Sequence, residues 1–270
     1  RKDSNVIFNK IKNPTGIAVR SDGSIWVSSA ENDNIYLISP AGVLLGTAGH
    51  APGYSGEDHE HGKKGKDEKD HDDRDRDDDD RNDESISGLS FKAPQGLALD
   101  ASDNLYVADR DLNRVLKLSA DGSQVLLQIA KLDNHGRPKA GSDPGELRKP
   151  WDMAVDGNGD IYVADSGNRR IQVFNSSGTF LRQFGPGVLL STSEVRGIAL
   201  TAEGLWVSDK ELQVIHLFSR AGGLIKTIGD ADSVVGEISR MRGLASDRLG
   251  ALYVVEPNRD RTQKFDPQGK

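Results

Sequence analysis

The 270 residues contain no cysteine. That excludes disulfides, thiolate metal sites and thiol nucleophiles together, and leaves the redox compartment open, because a chain this long can bury a core without covalent staples. Long apolar runs are also missing. None approaches the roughly 18 residues of a membrane span, and no positively charged then apolar leader opens the sequence. The first residue is Arg1 rather than Met, which points to a processed or excised piece and leaves a lost export signal open. A basic excess is absent as well, since the net charge is −7. Glu57–Glu84 holds fifteen Asp and Glu against seven Lys and Arg, so the remaining 27 acids and 28 bases nearly cancel. A nucleic-acid binder would show a clustered basic surface, and none is legible here.

What is present is repetition. The clearest unit, Pro150–Gly185, holds four apolar runs, Met153–Val155, Ile161–Ala164, Ile171–Phe174 and Phe180–Phe184. Turn signals separate them at Asp156–Asp160, Asp165–Arg169 and Asn175–Gly178, the pattern of four strands joined by tight turns. Further copies begin at Pro14, Pro94, Val195 and Met241. A period of about 45 residues with four strands per unit is the signature of an all-β propeller, whose blades must pack against one another to bury their faces.

Two copies carry Pro-x-Gly-Leu-Ala or its equivalent, then [Ile/Leu]-Tyr-Val-Ala-Asp, then Asn-Arg before the third strand, across Pro94–Arg114 and Pro150–Arg169. In these residues the chain resembles the NHL-repeat family, over almost its whole length outside one insertion. The resemblance implies a β-propeller. It also implies a choice among protein-binding platforms, RNA-binding domains, extracellular sensor domains and, less often, lyases, so it speaks to architecture and not to activity. The flank GTAGHAPGYSGE at Gly46–Glu57 is similar to loops of bacterial multi-repeat proteins, which implies an extracellular, cell-surface or periplasmic setting.

Val6–Ile11 precedes Pro14 as a fourth strand precedes the next repeat, while the last repeat ends at its third strand. The economical expectation is one propeller over residues 1–270 with five blades, the N-terminal strand completing the last blade and hiding two edges. A six-bladed ring with one blade missing or irregular is the alternative. Connections between the first and second strands and between the third and fourth are short and Gly-rich, as hairpin turns require. The turn Asp156–Asp160 has the DxNxD spacing of a calcium loop but lacks the downstream Glu, and a plain turn is expected. Connections from fourth strand to next first strand are long and divergent, and residues 57–84 form an acidic low-complexity insertion between the first two repeats. Its carboxylates are suited to weak calcium binding, and His59, His61 and His71 to zinc, but interspersed Lys and Arg argue against a preformed site. No cofactor is expected beyond such loosely held calcium.

Asp109 with Asn113 and Arg114, and Asp165 with Asn168 and Arg169, recur at equivalent positions, so a structural Asp–Arg pair or Asn-capped turn at the rim is expected. First strands line a propeller's channel. The residue after the opening position of each, Thr15, Gln95, Trp151, Arg196 and Arg242, should therefore ring the mouth on the long-loop face, with Asp152 replacing the repeat glycine. These side chains suit an anionic or planar ligand, by guanidinium hydrogen bonding and aromatic stacking. The plainer alternative packs Trp151 on a neighbouring loop and pairs the arginines with acids. No nucleophile with a positioned base is recognisable. The family resemblance implies that its lyases hold metal through His on channel-facing strands, and here those strands carry none; His216 falls in a third strand and His135 in a loop. The resulting expectation is a non-enzymatic propeller that binds a protein, peptide or glycan through the long-loop face and channel mouth. A metal-dependent lyase or hydrolase at the channel is the alternative.

Overall fold

The computed structural model describes residues 11–49, 89–185, 189, 192–229, 238, 241, 243–247, 249–256 and 259–269. They form a five-bladed β-propeller of small antiparallel sheets. Blade one is β1 (Pro14–Val19), β2 (Ile25–Ser29), β3 (Asn34–Ile38) and β4 (Leu44–Gly49). Blade two is β5 (Pro94–Leu99), β6 (Leu105–Asp109), β7 (Arg114–Leu118) and β8 (Val125–Ile129). The connection after it carries a small hairpin, β9 (Lys131–Leu132) and β10 (Pro138–Lys139), which alternation of apolar residues did not reveal. Blade three is β11 (Pro150–Val155), β12 (Ile161–Asp165), β13 (Arg170–Phe174) and β14 (Phe180–Phe184). Blade four is β15 (Val195–Leu200), β16 (Leu205–Asp209), β17 (Val214–Phe218) and β18 (Leu224–Ile228). Blade five shows β19 (Gly243–Ser246), β20 (Leu252–Glu256) and β21 (Arg261–Phe265) among the described residues. The expected closing strand lies outside them, as do Arg242 and the acidic insertion.

The turns are made by the residues that announced them. In Asp156–Asp160 the leading carboxylate accepts the backbone N–H of Asn158 at 2.9 Å and of Asp160 at 3.0 Å, while Gly159 takes φ 83°. One oxygen is thus consumed by the turn itself, as the plain-turn reading requires.

The interior lies between blades rather than within them. Four hydrophobic clusters fill the four successive seams, with Trp26, Tyr106, Tyr162 and Trp206 fully buried at equivalent second-strand positions. Each such ring removes a large apolar area from water, so consecutive blades stabilise one another in series. The faces that would meet between blade five and blade one differ. Ile17 and Val19 are 61% and 64% exposed, whereas Leu97, Met153 and Ile198, the counterparts of Ile17, are buried. On the opposite face Val255 is 43% exposed at a position that is buried as Ala108, Ala164 and Ser208 elsewhere. Among the described residues no cluster joins these two faces.

Candidate functional site

The repeat glycine explains how the inner strands approach. A Cβ on Gly16 would stand 2.3 Å from the Gln95 carbonyl, and one on Gly197 2.7 Å from the Leu244 nitrogen, so each glycine lets the next blade's first strand come close. Blade three breaks this rule with Asp152. Its Oδ1 accepts the N–H of Met153 at 2.9 Å, and its Oδ2 accepts the N–H of Ile198 in blade four at 3.0 Å. On its other side it lies against Gly96, where a Cβ would meet Oδ1 at 2.1 Å. The carboxyl thereby bridges three inner strands. Although part of Asp152 faces the channel, its carboxyl is packed deeply, and burial outweighs both hydrogen bonds, pushing its pKa up to about 7. Among the described residues no Lys, Arg or His pairs with it.

A cavity of about 480 Å³ opens along this axis. Thr15, Gln95, Trp151 and Asp152 line it together, with an apolar wall that includes Ile17, Leu97, Met153, Ile198 and Leu244. Thr15 donates to the Pro94 carbonyl at 2.8 Å, and Gln95 donates to the Ala93 carbonyl at 3.2 Å. Both polar side chains are therefore engaged by the scaffold rather than aimed freely inward.

Arg196 is brought to Trp151 but is not part of the cavity wall. Its guanidinium carbon stands 3.2 Å from the ring centroid, Arg110 stands 5.3 Å from the same centroid, and Arg196 also pairs with Glu194. Lys210 reaches Glu194 at 2.8 Å. Burial pushes Glu194 up, but Lys210 and Arg196 outweigh it and leave the pKa below the usual value. The tryptophan face is covered by the cations of Arg196 and Arg110, and Arg196 is paired with an acid. Among the described residues that line the void, the one carboxyl is Asp152, which becomes negative as pH rises through about 7. A ligand that presents a cation or an N–H donor, rather than an anion, complements this surface.

At the rim, Asp109 and Arg114 pair at 2.8 Å as expected. In blade three the pairing corrects the reading of the motif: Asp165 binds Arg170, not Arg169. Arg169 takes φ 52°, as Asn113 does at φ 53°, so the shared feature is the left-handed turn residue and the Asn-Arg letters are out of register by one. Asn168 still supports the turn, donating to Asp165 and to the Gly141 carbonyl, each at 2.8 Å. Arg170 also donates to the carbonyls of Ser142, Asp143 and Glu146, tying the long connection to the blade. Burial pushes Asp109 up to about 6 and Asp165 in the same direction, with the arginines opposing it. Among the described residues no three His, Asp or Glu side chains converge as a metal site.

An NHL repeat model matches residues 147–174, the heart of blade three. The chain is a β-propeller that carries an NHL repeat. The human NHL repeat-containing protein 3 is 28% identical over 193 residues, 68% of this chain and 52% of its own length. The propeller therefore spans about half the length of that relative. Peptidyl-alpha-hydroxyglycine alpha-amidating lyase 2 of Drosophila melanogaster is 29% identical over 164 residues, covering 58% of this chain and 39% of its own. Among solved structures, a streptogramin B lyase aligns over 96% of this chain and 67% of its own, with TM-score 0.61 and 15% identity. A nidogen/laminin complex aligns with TM-score 0.62 and 17% identity, over 96% of this chain and 77% of the matched one. At those identities the structural likeness speaks to fold alone.

Proposed function

We propose that this NHL propeller is a binding module that recognises a protein or peptide through its long-loop face and channel mouth. The bound group is apolar with a cationic or N–H-donating tip that meets Asp152. The observation supporting this is a carboxyl, without a cationic partner among the described residues, set in an apolar-walled cavity of about 480 Å³. A side chain of lysine or arginine has that shape, an apolar stem and a charged head. An extracellular or cell-surface setting belongs to the same proposal and rests on the Gly46–Glu57 loop likeness.

The test is fluorescence anisotropy with short labelled peptides that are basic, neutral or acidic, with an oligosaccharide as a further arm. Basic peptides are expected to bind, more tightly at pH 8 than at pH 6 because the cation needs the ionised carboxylate, and to lose most of that affinity with Asp152→Asn. A preference for acidic peptides or for the oligosaccharide, or indifference to Asp152→Asn, overturns the reading.

A second reading, metal-dependent lysis at the channel, is favoured by the amidating-lyase relative. Against it, the five inner strands supply one carboxyl and no histidine. Turnover of a peptidyl-α-hydroxyglycine substrate by metal-loaded protein, abolished by Asp152→Asn, would establish the second reading.

A further inference from the structure

Each first strand packs against the next along the chain, β1 on β5, β5 on β11, β11 on β15 and β15 on β19. No comparable packing joins β19 back to β1 among the described residues. The repeat glycines show the difference at atomic scale. A Cβ on Gly16, Gly96 or Gly197 would strike the neighbouring first strand at 2.3, 2.1 or 2.7 Å, whereas one on Gly243, the equivalent residue of blade five, would meet nothing within 4 Å. Ala245 is accordingly exposed where Ala18 and Ala199 are buried. Tyr253 is only partly buried, although Trp26, Tyr106, Tyr162 and Trp206 are fully buried at its position in the other blades.

The open side of blade five is apolar only near the axis. Ala245, Tyr253 and Val255 make it so in the first two strands, but the third strand presents exposed Thr262 and Lys264. At the positions of these two residues blades one, three and four hold Ile35 and Leu37, Ile171 and Val173, and Ile215 and Leu217, all buried. A whole further blade would need that outer half to be apolar as well. The cavity of about 480 Å³ runs between the two open faces, touching Ile17 of blade one and Gly243, Ala245, Tyr253 and Val255 of blade five. Its volume falls in the roughly 300–1,000 Å³ of small-ligand sites, which suits a single strand and not a folded sheet.

We propose that the opening between blades five and one holds an extended apolar segment of a partner protein, running beside β19 as each first strand runs beside the one before it. The four packed seams state the chemistry of that segment. In each, an apolar residue of the incoming first strand shares a cluster with the second-strand aromatic of the preceding blade: Leu97 with Trp26, Met153 with Tyr106, Ile198 with Tyr162 and Leu244 with Trp206. The partner's segment supplies the same residue to Tyr253, covers Val255, and is closed over from the other side by Ile17 and Val19, which are exposed. This rests on the reading of the cavity as a peptide site and adds the course of the main chain; the cationic tip at Asp152 is a separate contact.

The probe is an end-capped, labelled peptide with the uncharged β5 sequence PQGLAL, compared by anisotropy with the same six residues in scrambled order. The β5 peptide is expected to bind and the scrambled one not. Val255→Lys and Ile17→Lys, both at exposed positions, are each expected to weaken binding about tenfold or more, since each puts a charge where an apolar contact forms. The chain has no cysteine, so Val19→Cys carrying a polarity-sensitive dye gives an independent readout, a blue shift on binding, even if a lysine variant folds poorly. Basic peptides that bind through Asp152 while the uncharged peptide does not would leave the cavity reading standing and overturn this proposal. Binding of the uncharged peptide that Val255→Lys removes upholds it whatever the basic peptides do. Equal binding of the scrambled peptide, or indifference to both lysine variants, overturns it. So does binding that appears only after residues 1–10 are deleted, which assigns the opening to the chain's own segment, or a dimer that Val255→Lys dissociates, which assigns it to a second copy.

Discussion

Asp152 makes a pH-dependent contribution to folding whose sign is set by its environment. Its pKa in the folded protein, about 7, lies above the ordinary value of 3.8, so the folded state binds this proton more tightly than the unfolded chain. The stability it contributes is complete below the unfolded pKa and is lost as pH rises towards and through 7, after which it stays flat. The difference between 3.8 and about 7 corresponds to a ceiling of roughly 4 kcal/mol, and access of channel water to part of the side chain lowers the expectation to about 2–4 kcal/mol. For a domain of this size that is roughly 5–15 °C in Tm. The measurement is denaturant unfolding of parent and Asp152→Asn from pH 4.5 to 8.5, taken as a difference so that groups common to both cancel. Asn keeps the shape and one acceptor but places an amide near one backbone N–H, so at pH 4.5 the variant should be less stable by about 1 kcal/mol. At pH 8 the order should invert, with the crossing roughly one pH unit above 4.5, because the parent loses about 1.4 kcal/mol per pH unit in this window. A difference that stays constant across the range would refute the reasoning, because it would mean that the ionised carboxylate is fully compensated in the channel.

Other expected outcomes come from the same packing. Gly96→Ala should destabilise by about 1–3 kcal/mol in thermal melts because its Cβ would meet Asp152, whereas Gly243→Ala, with nothing within 4 Å, should be nearly silent. Arg170→Met should cost about 3–5 kcal/mol in denaturant unfolding, since it leaves the buried Asp165 carboxylate without its cation and frees the Ser142–Glu146 connection. Native-state hydrogen exchange should find β12, β13 and β16 slowest and β1 and β21 fastest, matching strands that are buried throughout against strands largely open to solvent. Uniform protection across the five blades would contradict the serial packing of the seams.

The strands, their turns and the five repeats were legible in the sequence because they are local. An alternating apolar run declares a strand, a Gly or Asn declares a turn, and both recur wherever the unit recurs. The approach of Thr15, Gln95, Trp151 and Asp152 to one channel was legible for the same reason, since equivalent positions in a ring converge on its axis. What the sequence could not decide was which charges meet. Arg169 and Arg170 are adjacent letters, and only backbone geometry shows that the first occupies the left-handed turn while the second pairs with Asp165. Arg196 and Trp151 lie in different blades, so the stack that takes the Arg196 guanidinium onto the indole exists only after folding. The raised pKa of Asp152 depends on burial, which sums over neighbours from several blades. Strand and turn follow from steric preferences within a few residues; electrostatic character follows from what lies nearby in space, and in a propeller much of that belongs to the next blade.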